Sequence, residues 1–132
     1  MAFFLITTFF VAGCKNVENH FETHSSVTAY EKKQGVIKVE LMGENFATFE
    51  NEKDIEVFVN AVKNAKKIAG VLDVVKSNYE FHLIYANNKT KSFFLWLDNE
   101  EQTGMIMDKE DTHTGYKLQK RDVLELQKLV TK

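Results

Sequence analysis

The sequence predicts an α+β fold: an antiparallel β-sheet with one central and one C-terminal helix packed on it. Three observations carry this. Apolar residues alternate over Val36–Met42 and again over Tyr79–Ala86, the two-residue period of a half-buried strand. Between them the period lengthens, with Ile55, Phe58, Val59, Val62 and Ala65 recurring at helical spacing. A second helical stripe, Val123, Leu126, Leu129 and Val130, closes the chain. Strands grouped on either side of a helix give the order β-β-β-α-β-β-β-β-α, which favours an antiparallel sheet covered on one face.

Residues 1–13, MAFFLITTFFVAG, carry no charge; all 17 Lys/Arg and 19 Asp/Glu follow Gly13. The apolar run from Ala2 to Ala12 is shorter than the roughly 20 residues of a membrane-spanning helix. It has the length of a signal-peptide core. It ends in Val11-Ala12-Gly13-Cys14, which resembles a bacterial lipobox. That resemblance implies a diacylglyceryl thioether on Cys14, the sole cysteine, with fatty acyl chains of the palmitate type, and cleavage just before it. Small residues at Ala12 and Gly13 suit the protease site, and only a thiol supplies the soft nucleophile. Two acyl chains suffice for stable anchoring, at about 0.8 kcal/mol per buried CH₂. No polybasic stretch of sequence assists. The segment departs from the signal pattern in lacking an initial Lys or Arg. Either the true start lies upstream or the segment is truncated, or it is instead a buried N-terminal strand or helix with a packed cysteine. The expected organisation is signal peptide 1–13, lipidated cysteine and flexible tether 14–26, and one domain over 27–132.

The tether, Lys15 to Ser26, is polar and without sustained periodicity. His20 and His24, interleaved with Glu18 and Glu22, have the spacing of ligands on a helix face, but such pairs are more often solvated. Val27–Lys33 reads as a strand leading into a Gln34-Gly35 turn. In the next strand, Val36–Met42, Ile37, Val39 and Leu41 share one face. Gly43–Asn45 turns, and Phe46–Phe49 is a short extended piece. Asn51 caps a helix over about 52–68, with Glu52 and Asp54 in its first turn, Lys66 and Lys67 in its last, and Gly70 as its stop. In Tyr79–Ala86, Tyr79, Phe81, Leu83 and Tyr85 oppose Glu80, His82 and Ile84. Asn87-Asn88 turns the chain into Thr90–Leu97. Thr103–Asp108, Gly115–Leu118 and a helix over Lys120–Val130 complete the pattern.

Ile55–Leu118 resembles the YhfM-like domain of Bacillus-type, Gram-positive lipoproteins. The matching landmarks are Ala65-Lys-Lys-Ile-Ala-Gly70, the Asp73 loop, Tyr79, Phe94-Leu-Trp-Leu-Asp98, Gly104-Met-Ile-Met-Asp108 and Asp111-Thr-His-Thr-Gly-Tyr-Lys-Leu118. The resemblance implies location at the outer face of the cytoplasmic membrane and transfers no catalytic residue.

Composition narrows the function. The net charge of −2 argues against a nucleic-acid partner. There is no nucleophile elbow, no His-Glu-x-x-His and no phosphate-binding glycine loop. His82 reads as a surface residue and Glu100-Glu101 as solvated turn charges. Two candidate sites remain. In the apolar run Phe93–Leu97, either Phe94 and Trp96 or Phe93, Leu95 and Leu97 form the exposed or helix-covered set. Phe94, Trp96, Met105, Met107 and Tyr116 are a candidate binding surface for a protein partner or small ligand. The plainer reading is a sheet partly covered on both faces with the tryptophan in the core. Asp108, Asp111 and His113 are weak candidates for a metal. The plainer reading of that loop is an Asx turn at Asp111, with Gly115 at positive φ and Tyr116 opening the last strand. The expectation is a monomeric, lipid-anchored binding or envelope-support module without cofactor. The alternative is a surface-anchored metal-binding protein or hydrolase using the Asp108–His113 loop.

Overall fold

Seven strands form a sheet in the order β2-β1-β4-β5-β6-β7-β3, every adjacent pair antiparallel, in a computed structural model that describes residues 35–70 and 72–132. The strands are β1 (Val36–Met42), β2 (Phe46–Phe49), β3 (Lys66–Lys67), β4 (Tyr79–Tyr85), β5 (Thr90–Asp98), β6 (Thr103–Asp108) and β7 (Gly115–Lys117). Helix α1 (Glu52–Asn64) packs on β1 and on helix α2 (Lys120–Val130), which packs on β6. This is the expected α+β architecture. The expected signal segment 1–13, the expected lipid-bearing Cys14, the expected tether with His20 and His24, and the expected strand Val27–Lys33 lie outside the described residues. Among the described residues no helix is long and apolar enough to cross a membrane.

The alternation places one parity of each strand beneath the helices. Val39, Leu41, Phe81, Leu83, Tyr85, Phe93, Leu95, Leu97 and Ile106 are buried there with Ile55, Phe58, Ala61 and Val62 of α1 and Val123, Leu126 and Leu129 of α2. Phe58 is central: its ring lies 5.2 Å from Phe49 and 5.4 Å from Phe81, and Phe81 stacks on Phe93 at 5.1 Å. Asn51 caps α1, its side chain accepting from Lys53 N–H at 2.9 Å. Asp122, 4% exposed, accepts from Asn64 Nδ2 at 3.1 Å and ties the start of α2 to the end of α1.

Two local expectations are corrected. Helix α1 ends at Asn64 rather than Ile68: Ala65 is extended (φ −64°, ψ 141°), and Lys66 and Lys67 form the edge strand β3 against Lys117 and Tyr116. Pairing supplies the β7 edge with partners that a longer helix would leave unmet, so tertiary hydrogen bonding overrides helix propensity. Ile37 does not share the buried face of Val39 and Leu41. The register shifts between Val36 and Lys38, so Val36 opposite Tyr85 packs against the core and Ile37 is 52% exposed.

The hairpin turns follow their residue types. Asn88 takes φ 65° between β4 and β5, and Asn87 Oδ1 accepts from Lys89 N–H. Between β5 and β6, Asp98 Oδ1 accepts from the amides of Glu100 and Glu101, and Gln102 takes φ 53°.

Candidate functional site

The opposite parity of the strands forms an outer face that neither helix covers, and it divides into a polar and an apolar half. The polar half belongs to β1, β4 and the start of β5. Lys38 and Glu40 pair at 2.8 Å, which raises the Lys38 ammonium above its usual range. His82 Nδ1 lies 2.6 Å from Ser92 Oγ, and its Nε2 lies 3.4 Å from Glu80 Oε1. The same Glu80 oxygen accepts from Lys109 Nζ at 2.5 Å, and Lys109 sits 5.3 Å from the centre of the Phe94 ring.

A serine, a histidine and a carboxylate in sequence are the parts of a nucleophilic triad, and sequence reading overlooked this cluster. The signal that finds it is the pairing of His82 with Ser92 across the β4–β5 hairpin. Nucleophilic catalysis also needs an oxyanion site and a cleft for the substrate. The cluster instead lies on a sheet face, with its carboxylate committed to Lys109 and the Ser92 carbonyl accepting from Lys109 N–H at 3.0 Å. The geometry fastens β4, β5 and the chain leaving β6 together.

The apolar half is built by β5, β6 and β7. Phe94 opposes Met107, Trp96 opposes Met105, and Met107 opposes Gly115, so Phe94, Trp96, Met105 and Met107 share this face. Phe94 and Trp96 lie 6.1 Å apart with tilted rings. Met107 is only 2% exposed, whereas Trp96 and Met105 are half-buried. Tyr116 does not join them: it pairs with Ile106 and packs against the core on the helix side. Burial there, with Asp111 and Asp108 nearby, pushes the Tyr116 phenol up. The expected five-residue surface is therefore four residues on one face and one on the other.

A strap of residues 72–78 crosses the apolar half on its way to β4. Trp96 Nε1–H donates to the Val75 carbonyl at 2.8 Å, and Asn78 Oδ1 accepts from Leu97 N–H at 2.9 Å. At the other end, Ile68 N–H donates to the Gly115 carbonyl at 2.9 Å. Gly115 does not have the positive φ expected of it. Its lack of a side chain is what matters: a Cβ there would collide with Leu72 Cδ1 and press on Met105 Sδ. Between strap and sheet opens a groove of about 520 Å³ whose lining includes Ile68, Val75, Lys76, Trp96, Met105 and Lys117. Its volume is that of a small-molecule site. Val74 and Val75, 39% and 80% exposed, stand on the strap.

The Asp108–His113 loop is internally committed. Asp108 binds Lys91 Nζ at 2.5 Å and accepts from Glu110 N–H at 2.8 Å. Asp111 accepts from His113 N–H at 3.2 Å, the expected Asx turn. Hydrogen bonds from Thr114 and the His113 amide hold the Asp111 carboxyl below the usual range, and Lys91 does the same for Glu110. Burial pulls the Lys91 ammonium down, but Asp108 and Glu110 together outweigh it and leave it raised. Among the described residues no three His, Cys, Asp or Glu side chains converge to hold a metal.

A family model described as YhfM protein matches residues 30–132, which includes both halves of the outer face. No curated protein and no solved structure matches the chain.

Proposed function

Because the chain belongs to the YhfM protein family, we propose that it is a lipid-anchored extracytoplasmic binding module of a Bacillus-type, Gram-positive envelope. In this reading Cys14 carries the lipid, residues 14–26 are the tether, and residues 27–132 are the domain held at the outer face of the cytoplasmic membrane. The Val11-Ala12-Gly13-Cys14 sequence supports the anchor. The groove beside Trp96 supports the binding half: an indole and a thioether line an open groove together with the polar side chains of Lys76, Asn78, Asp98, Thr103 and Lys117. Its ligand is a small molecule or a segment of a protein partner, and the module acts as a monomer without cofactor. The hydrolase or metal-binding alternative has no such support, since Asp108 and Asp111 are engaged in their own loop.

Detergent phase separation of the full chain made in a Gram-positive host tests the anchor. The native protein is expected in the detergent phase and Cys14→Ala in the aqueous phase. Unchanged detergent partition of Cys14→Ala contradicts the anchor. The groove is tested by cross-linking the lipidated protein in intact cells. A discrete adduct that disappears in Trp96→Ala is expected; an adduct pattern indifferent to Trp96 contradicts the groove.

A further inference from the structure

The fold gathers six cations that the sequence disperses over almost sixty positions. Lys66 and Lys67 form the edge strand β3 and pair across the ladder with Lys117 and Tyr116. Lys63 lies in the last turn of α1, just before β3, and Lys120 and Arg121 open α2, just after β7. The Asn64–Asp122 hydrogen bond, 3.1 Å, brings those two helix ends together, so Lys63 and Arg121 flank one contact. All six side chains are exposed. Three cations of β1, β5 and the chain leaving β6 are paired, Lys38 with Glu40, Lys91 with Asp108 and Lys109 with Glu80, whereas Lys76 on the strap, like the six, makes no ion pair among the described residues. Among the described residues none of the six edge cations lies within 4.0 Å of a carboxylate. Asp111 is the acidic residue whose charge interacts with Lys67, and Asp122 is buried. The far edge has the opposite sign, with Glu44, Glu50, Glu52 and Glu56 exposed around β2 and the start of α1, offset by Lys53.

We propose that this basic edge is the surface by which the domain docks on an anionic phospholipid bilayer. Unpaired, exposed ammonium and guanidinium groups along one edge match a plane of phosphate headgroups, each contributing near the surface and fading within a Debye length. The acidic far edge is repelled by the same plane, so the charge separation also sets orientation: β3 and β7 face the lipid and β2 faces away. The outer-face groove then opens sideways, parallel to the bilayer. This goes beyond the anchor at Cys14 and does not depend on it.

The test uses the full chain carrying Cys14→Ala, so that no acyl chain contributes, with vesicles of phosphatidylglycerol and phosphatidylcholine or of phosphatidylcholine alone. Binding is expected to rise with phosphatidylglycerol and to fall as salt is raised. Lys66→Gln/Lys67→Gln/Lys117→Gln is expected to weaken the anionic-dependent part roughly a hundredfold. Lys53→Gln/Lys89→Gln/Lys132→Gln, with the same net charge, is expected to stay within about threefold of the parent, because its charges lie off the docked edge. Should removal of the β3 lysines disturb the ladder, as circular dichroism would reveal, Lys63→Gln/Lys120→Gln/Arg121→Gln on the helix ends tests the same edge. Equal loss in edge and control variants overturns the proposal, as does indifference to phosphatidylglycerol. A salt-sensitive oligomer abolished by the edge variant, without vesicle binding, overturns it in favour of a second copy docking its acidic edge.

Discussion

On its helix side the sheet presents Val39, Leu41, Phe81, Leu83, Phe93 and Leu95, all closed over by α1 and α2. On its outer side the same strands present Glu80, His82 and Ser92, then Phe94, Trp96 and Met105, with only a strap across the apolar half. The first face is held by packing among many side chains, and loss of one contact is felt throughout. The strap is held by a few identifiable hydrogen bonds and one close approach at Gly115. A region fastened at so few points opens at lower free energy than the core. The comparison therefore assigns stability to the helix side and binding to the outer side.

Substitutions on the two sides test that division in descending order of effect. Phe58→Ala removes a fully buried ring from between Phe49 and Phe81 and is expected to cost about 3–5 kcal/mol, read as a lowered denaturant midpoint with the slope unchanged. Gly115→Ala forces Leu72 away from the sheet and is expected to cost about 1–3 kcal/mol. It should also change the Trp96 fluorescence, which Phe58→Ala leaves native-like until the protein unfolds. Trp96→Phe keeps an aromatic ring but deletes the bond to the Val75 carbonyl; about 1 kcal/mol is expected, with faster proteolysis within the strap.

The smallest effect is on pH. Asp111 and Glu110 have depressed folded pKa values, so the stability they contribute is present above the ordinary carboxylate range and is lost as pH falls through the folded values. Lys91 is raised, so its contribution is present below the ordinary lysine range and lost only as pH rises through its folded value. Melting temperature is therefore expected to fall below about pH 4, and Lys91→Gln should reduce that acid dependence.

Much of the helix side was legible in the sequence, because its residues state their environment by alternation. Phe81, Leu83 and Tyr85 declare one face of β4 whatever lies above them. Val36-Ile37 does not, since either residue can face inward and the register shift opposite Tyr85 decides. Nor does Ala65-Lys66-Lys67, whose helical pattern yields to the unpaired edge of β7. On the outer side, Trp96 and Met105 were found as apolar residues of matching parity. Tyr116 looks like their companion in sequence, but the pairing of β6 with β7 puts it opposite Ile106 on the other face. The Ser92–His82–Glu80 cluster depends on the exact register of the β4–β5 hairpin, and the basic edge on the pairing of β3 with β7 and the Asn64–Asp122 contact between helix ends, none of which residue type alone states.

Native-state hydrogen exchange, resolved by peptide, tests the division between the two sides most directly. The account predicts that the amides of residues 72–78 exchange through local openings insensitive to low denaturant, while those of β4, β5 and α1 exchange only with global unfolding. Equal protection and equal denaturant dependence in the strap and the β4–β5 ladder would contradict it.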